Sequence, residues 1–380
     1  MEITKDILYV GVHDKITDLF EGQYKIPDGI LYNSYLILDE KIAVCDTVDK
    51  RFSDKWLENI QKFLGSKEPD YLIVHHMEPD HSASIDDFIK KYPDATIVSS
   101  AKAFSMMNQF FCTDFTNKHI VSEGDTLSLG RKELTFITAP MVHWPEVILS
   151  YEKTTKTLFS ADAFGTFGTA DSTDNWENEA SRYYFGIVGK YGPQVQSLLK
   201  KAAHLDIQRI CPLHGPVLCD NISHYVSLYD EWSSYKSKTD TVVIAYTSVY
   251  GNTKKAVLML EKMLCDKNIN VVKYDLARDD MSKAVSDAFL YQNIVLATTT
   301  YNASVFPFMH QFINMLLERN FQNKNVYIIE NSSWAPMARK TIVSMLSGCK
   351  NVEISDCAVH IKSALSEQSI NELAALSQQI

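Results

Sequence analysis

One stretch constrains this chain more than any other: Val74-His75-His76-Met77-Glu78-Pro79-Asp80-His81-Ser82. Between residues 75 and 81 it carries three imidazoles and two carboxylates, directly after the apolar run Tyr71-Leu72-Ile73-Val74. Such a run reads as a buried strand, so the ligand-rich segment leaves its carboxyl end as a loop, where layered α/β folds gather ligands. Pro79 fixes its own φ and keeps Glu78 out of the helical region. His76, Glu78 and Asp80 can then converge on one or two cations, with His81 close behind. The plainer alternative is a polar loop with Ser82 as the N-cap of the following helix, but a cap does not need five metal-ligating side chains.

The spacing His76-x-Glu78-x-Asp80-His81 resembles the metal loop of the metallo-β-lactamase superfamily, His-x-His-x-Asp-His. Glu78 stands where that pattern has its second histidine. An oxygen ligand there favours a harder, redox-active metal such as iron over zinc, and hence dioxygen or nitric oxide chemistry over hydrolysis.

At 380 residues the chain is long enough for two domains. A hydrophobic fraction of 46% and a charged fraction of 22% are those of a soluble globular protein. No run approaches the roughly 18 apolar residues of a membrane span, and Met1 to Asp6 lack a signal-peptide pattern. A net charge of −10 argues against nucleic acid. The seven cysteines nowhere form Cys-x-x-Cys, which leaves no rubredoxin-type or zinc-ribbon module in this chain and suggests reduced thiols in a cytoplasm.

Residues 1–239 are expected to form the first domain. Ile7–Val12, Leu31–Leu38 and Ile42–Cys45 read as strands, the last two a hairpin across Asp39-Glu40-Lys41. A helix follows with Trp56, Ile60, Phe63 and Leu64 on one face. Beyond the metal loop come a helix through Ile85, Phe88 and Ile89, a strand Ala95–Val98 and a helix from about Phe104 to Phe111. Strands are expected again at Leu134–Thr138, Val147–Tyr151 and Thr157–Ser160. The repeated order fits two sheets between helices. Three more ligand candidates sit at strand ends: His143 after Thr138, Asp162 after Ser160 and His214 after Cys211. With His76, Glu78, Asp80 and His81 they make seven, too many for one tetrahedral site and suited to two metals about 3.5–4 Å apart. Asp162 suits a bridge, since one carboxylate can give an oxygen to each ion. His75 points away in an extended segment and reads as structural. His13, His119, His204 and His224 have no such setting.

Ser223–Tyr235 reads as a helix and Lys236–Asp240 as a polar connector, so the second domain is expected over 240–380. Its first strand, Thr241–Tyr246, runs into Ser248-Val249-Tyr250-Gly251-Asn252-Thr253 and a helix. Strand, hydroxyl-rich turn and helix N-terminus make a phosphate cradle. Asn252 after Gly251, where a nucleoside-triphosphate loop has lysine, excludes that class. Further strands at Val271–Tyr274, Ile294–Ala297, Val326–Ile329 and Val352–Ile354 alternate with helices near 285, 313, 341 and 371, a doubly wound sheet. The turn after Ala297, Thr298-Thr299-Thr300-Tyr301-Asn302-Ala303, and the one after Glu330, Asn331-Ser332-Ser333-Trp334, add cofactor candidates from Thr300 to Ala303 and from Asn331 to Trp334, among them Tyr301 and Trp334, which could wall a flat flavin ring.

With these motifs the chain resembles the flavodiiron proteins, the A-type flavoprotein family, over nearly its whole length. The resemblance implies an N-terminal metallo-β-lactamase-like αββα sandwich and a C-terminal flavodoxin-like domain. It implies two iron ions, one on His76, Glu78 and His143 and the other on Asp80 and His214. Asp162 would bridge them, and His81 is not always a ligand in the family. It further implies FMN as the internal electron donor, reduction of dioxygen to water or of nitric oxide to nitrous oxide, and a head-to-tail homodimer or dimer of dimers. The donor is expected to be a separate protein of rubredoxin or flavin reductase type. The alternatives are a zinc-dependent metallo-β-lactamase-fold hydrolase with a flavodoxin-like appendage, which Glu78 argues against, and a flavodoxin-type carrier on an inert scaffold.

Overall fold

The structure is a computed structural model and describes residues 1–169 and 176–380. The chain divides into two compact units, Met1–Tyr184 with Tyr191–Asp230, and Phe185–Lys190 with Glu231–Ile380.

In the first unit two sheets face each other. One runs in the order Glu2–Thr4, Ile7–Tyr9, Tyr35–Ile37, Ala43–Cys45, Tyr71–Ile73, Thr96–Ser99, Lys118–Ile120. It is antiparallel up to Ala43–Cys45 and parallel from there on. The other comprises Thr126–Ser128, Glu133–Thr138, Ile148–Glu152, Thr157–Phe159 and Arg209–Cys211. Because strand side chains alternate between faces, Ala43, Cys45, Ile73 and Val98 turn inward to meet Phe136, Ile148, Phe159 and Cys211, and these form one buried core.

Two expected strands are each split. Ile7–Tyr9 stays in the large sheet while Val12–Asp14 leaves it to pair with Ile30–Tyr32. The run expected over Leu31–Leu38 divides in the same way between Ile30–Tyr32 and Tyr35–Ile37. The breaks fall at Gly11 and Asn33. A Cβ on Gly11 would lie 2.4 Å from the Tyr32 carbonyl oxygen, so only glycine lets the chains pass. Asn33 turns its amide onto the carbonyl oxygens of Pro212 and Gly215, both at 2.8 Å, and so clamps the loop that carries His214. On the helix Ser53–Leu64 the buried side is Trp56, Ile60 and Leu64, whereas Phe63 is 41% exposed, at the edge of that arc and not on it.

In the second unit a parallel sheet runs Asn270–Asp275, Lys238–Tyr246, Tyr291–Tyr301, Lys324–Ser332, Val352–Ile354. Its last position is shared: Val352–Ile354 pairs with the start of Lys324–Ser332, and Val359–Lys362, not anticipated, pairs with its end. Helices Asn252–Cys265, Met281–Leu290, Pro307–Glu318, Ala338–Leu346 and Glu367–Gln379 alternate with the strands. The order reverses between Lys238–Tyr246 and Tyr291–Tyr301, the switch point at whose carboxyl edge such sheets bind ligands. Three expected boundaries shift. Lys238–Asp240 belong to the first strand and not to a connector, with Lys238 opposite Tyr291. The turns expected after Ala297 and Glu330 begin only after Tyr301 and Ser332, because ladder pairing continues through Thr299 opposite Asn331. Among the described residues no helix is long and apolar enough to cross a membrane.

Candidate metal centre and nucleotide cavity

The metal loop begins where the strand Tyr71–Ile73 ends. Val74 still donates to the Val98 carbonyl, and the chain then turns into a single helical turn, Pro79–Ser82, in place of the expected loop. Glu78 sits at its N-cap in an extended conformation (φ −60°, ψ 137°), as a residue before proline must. The next helix starts at Ile85 with Ser84, not Ser82, at its N-cap. One turn therefore presents Glu78, Asp80 and His81 together.

All seven candidate side chains converge, in two groups: His76, Glu78, His143 and Asp162, and Asp80, His81 and His214. In the first, Nε2 of His76 lies 3.3 Å from Glu78 Oε2 and 3.2 Å from Asp162 Oδ2. Nε2 of His143 lies 3.0 Å and 3.1 Å from the same two oxygens. In the second, Asp80 Oδ2 is 3.3 Å from Nε2 of both His81 and His214. Asp162 belongs to both, because its other oxygen, Oδ1, is 3.7 Å from His81 and 3.8 Å from His214. Donor spacings near 3 Å are the polyhedron edges expected around a cation with bonds of about 2.1 Å.

The hydrogen bonding says the same. Both oxygens of Asp80 and of Asp162, and Nδ1 of His81, are buried without a hydrogen-bond partner. Buried carboxylates in that state are costly unless a cation takes their lone pairs. Imidazole and carboxylate donors without thiolate suit iron among the transition metals. Burial opposes charge on the imidazoles, yet the Asp162 and Glu78 carboxylates outweigh it, pushing His143 up to about 9 and His76 well above the ordinary value. Against the same burial, the imidazoles hold Glu78 and Asp162 below the usual carboxylate range. His81 differs: burial holds it below the ordinary imidazole value.

Other residues aim the donors. Glu146 Oε1 takes His76 Nδ1 at 2.8 Å and the Met77 amide at 2.9 Å, so His76 turns its Nε2 lone pair to the centre. The Leu31 carbonyl does the same for His214 through Nδ1 at 2.7 Å. His75 points away, as expected, onto Asp46 at 2.5 Å and Ser150 at 2.8 Å. Phe20 and Tyr32 wall the second group, their rings edge-on to His214 at 5.3 and 6.0 Å. Neither Glu146 nor these aromatics stood out in the sequence. Glu146 follows His143 by three residues, the one local signal that could have found it.

The second unit has a cavity of about 560 Å³ at its carboxyl edge, a size that holds a small cofactor. Every residue proposed for the cofactor lines it except Gly251. Gly251 instead shapes the cradle: at φ +89° it caps the helix Asn252–Cys265, and its amide donates to Ser248 Oγ at 3.1 Å. Ser248 Oγ also accepts from the Lys254 amide at 3.2 Å, which leaves its own hydrogen to donate. Thr300 Oγ1 is engaged in receiving the Met337 and Ala338 amides. Asn302 and Ala303 form a two-residue hairpin turn with φ of 48° and 57°, where asparagine is favoured. Thr299, Ala335 and Ser363 also line the cavity and were missed. Thr299 Oγ1 is buried and without a partner, a polar atom that a bound cofactor would satisfy. Tyr250, Trp334 and Tyr301 stand at the rim 92%, 89% and 45% exposed.

A β-lactamase-like unit with a two-group donor cluster, followed by a flavodoxin-like unit with a phosphate cradle, defines a class of flavin- and metal-dependent oxidoreductase. The family described as ODP family beta lactamase matches residues 30–215. An uncharacterized protein of Methanocaldococcus jannaschii is 31% identical over 82% of this chain and 80% of its own. The anaerobic nitric oxide reductase flavorubredoxin of Klebsiella pneumoniae is 28% identical over 88% of this chain and 72% of its own. Among solved structures, the rubredoxin oxygen:oxidoreductase of Desulfovibrio gigas superposes with a TM-score of 0.94 at 26% identity, covering 100% of this chain and 97% of its own. The flavodiiron protein of Giardia intestinalis gives 0.93 at 26% identity, covering 100% and 96%. The chain belongs to the flavodiiron proteins, and the hydrolase and inert-scaffold alternatives fall away.

Proposed function

We propose that the chain reduces dioxygen to water, nitric oxide to nitrous oxide, or both, at a non-haem diiron site supplied with electrons by FMN. The observation that carries this reading is Asp162: buried, without a hydrogen bond, one oxygen facing each donor group. His76, Glu78 and His143 would hold one iron, Asp80, His81 and His214 the other, and Asp162 both. Held there, two ferrous ions would supply electrons to a diatomic gas, and a flavin would supply them in turn because it can take up electrons in pairs and release them singly. The protein's own part is orientation. Glu146 and the Leu31 carbonyl fix which nitrogen of His76 and His214 faces the centre, and Phe20 and Tyr32 keep that side apolar.

The Ser248 hydroxyl, the amides at the start of the helix Asn252–Cys265 and Thr299 would hold FMN, with Tyr301 and Trp334 beside its ring. Exposed aromatics at the rim fit a surface that a second copy covers, so we place the FMN of one chain against the irons of the other in a head-to-tail homodimer. Free thiols at Cys112, Cys219 and Cys265, all exposed, suit a reducing cytoplasm, where a separate rubredoxin or flavin reductase type protein would supply electrons. The test is metal analysis followed by anaerobic stopped-flow of the reduced protein against each gas. Zinc as the main metal, or no oxidation by either gas, overturns the reading. The pairing in trans is tested with a mixed dimer of His76→Ala/His143→Ala and Ser248→Ala/Thr253→Ala chains. Such a dimer should recover part of the activity that both parent homodimers lack.

A further inference from the structure

Strand alternation decides which way the short strand Val359–Lys362 faces. Val359 and Ile361 are buried in the core of the second unit with Leu373 and Leu376, so His360 and Lys362 turn to the other face of the sheet. The parallel register sets His360 opposite Glu330 and Lys362 opposite Ser332. Glu330 and Ser332, two residues apart on one strand, share that face. His360 Nδ1 lies 3.1 Å from Glu330 Oε1, and its Nε2 lies 3.5 Å from Ser332 Oγ. Glu330 and Ser332 are buried, and Ser332 lines the cofactor cavity. The His360 side chain is 27% exposed. The imidazole can therefore exchange a proton with water while its Nε2 faces a hydroxyl of the cavity wall.

The directions of the hydrogen bonds follow. A carboxylate only accepts, so Nδ1 carries a hydrogen and, in the neutral ring, Nε2 carries the lone pair. Ser332 then donates to Nε2 and shows the cavity its own lone pairs. Once Nε2 gains a proton it donates instead, and the Ser332 hydrogen is released toward the cavity. Only a hydroxyl rotates. The 3.5 Å contact is long, and contacts of this kind close up as a site binds its ligand. Glu330 is fixed for its part, since its Oε2 accepts from the Arg339 amide at 3.0 Å and leaves Oε1 to the histidine. The other charged groups around the ring come from three elements. Glu372 of the last helix takes the His360 amide at 2.8 Å. Arg339 of the helix Ala338–Leu346 donates through Nη2 to the Ser355 carbonyl at 3.1 Å. Lys362, on the same strand, is exposed.

We propose that His360 is a positioning residue for the flavin: by taking up one proton it turns the Ser332 hydroxyl from an acceptor into a donor at the cavity wall, and so raises the affinity for reduced over oxidised FMN; this role rests on the FMN site proposed above. A reduced flavin carries more negative charge on its ring than an oxidised one, so it gains from a donor. Acid therefore favours reduction of the bound cofactor, and alkali removes that help.

The test uses the whole chain with its metal and FMN. The two-electron midpoint potential of the bound flavin, read from its absorbance, is compared with that of free FMN at each pH from acid to alkaline. Relative to free FMN it should step upward toward acid by about a tenfold gain in reduced-over-oxidised affinity, the worth of one hydrogen bond to a charged group, or about 30 mV. His360→Gln can still donate to Glu330 but takes up no proton, and Ser332→Ala removes the hydroxyl that turns. Both should bind FMN and lose the step, and if one fails to fold the other carries the test. Ser332→Thr keeps a hydroxyl and should keep the step. A wild type whose potential runs parallel to that of free FMN, or a step that survives in His360→Gln, overturns the role of His360. A step that survives in Ser332→Ala overturns the switch through the hydroxyl. If the wild type binds no FMN, the proposed function fails and takes this inference with it.

Discussion

The two candidate sites are built on opposite plans. At the metal centre His76, His81, Asp162 and His214 are at most 1% exposed, and Glu146 and the Leu31 carbonyl orient two of them. At the nucleotide cavity the walls are short hydroxyls, backbone amides and aromatics left in solvent, Tyr250 and Trp334 above all. The first is a rigid cage whose charges need a cation. The second is an open cradle completed by what it binds. Removing one group from the cage should therefore cost far more than removing one from the cradle.

The largest effect is expected from Asp162→Ala. With the shared carboxylate gone, neither donor group is complete. The variant should carry less than half the wild-type metal and lose gas reduction altogether, yet keep FMN, since the cradle lies in the other unit. It should also stay folded, because it removes a buried carboxylate that lacks a hydrogen bond. Metal analysis, flavin absorbance and thermal melting check the three claims. Full metal content with unchanged turnover would show that Asp162 is not shared. The same charges give a pH signature. His143 in the metal-free protein stays protonated up to about 9, and a metal must displace that proton. Apparent metal affinity should thus rise with pH through about 9, which titrations across that range would follow.

How much of this was legible in the sequence follows the same division. His76, Glu78, Asp80, His81, His143, Asp162 and His214 stand out because few residue types ligate metals and all lie at strand ends. Glu146 does not, because an acid that orients a ligand looks like any other acid until the fold brings it to His76. The cradle was marked by its strand-turn-helix order, but Thr299 looked like one of three equivalent threonines in a turn, because only the ladder pairing that carries the strand on past Ala297 buries its hydroxyl at the cavity. The fold classes followed from the alternation of elements. The exceptions, the splits at Gly11 and Asn33 and the strand Val359–Lys362, depend on contacts with Tyr32, Pro212 and Ile329, far along the chain.

Next in size is the cradle itself. Ser248→Ala with Thr253→Ala removes two hydroxyls, each worth about 1.5–3 kcal/mol if it donates to a phosphate. FMN should dissociate on dialysis while the metal content is unchanged. Wild-type flavin affinity in this variant would break the comparison from the cradle side. A smaller change is expected at Glu146→Gln. The amide still fills the space, but it no longer holds the His76 Nδ1 proton as a carboxylate does. Metal affinity should fall about 10–100-fold, the usual effect of altering a partner of a ligating histidine. FMN binding should not move.

The smallest effect is expected at Trp334→Ala, and it separates the two roles an exposed aromatic can have. If Trp334 only stacks on the flavin, its loss should weaken FMN by about 1 kcal/mol, roughly fivefold, whatever the protein concentration. If it also meets a second copy, as its 89% exposure suggests, part of the loss appears only where the dimer dissociates. Flavin affinity measured by fluorescence at several protein concentrations, alongside sedimentation of the same samples, tells the two apart. A concentration-independent loss with an intact dimer would confine Trp334 to the flavin. A loss that grows on dilution would show that the open cradle is completed by a second chain as well as by its cofactor. Unchanged affinity and assembly would show that the rim aromatic serves neither, and that the hydroxyls and amides hold the flavin alone.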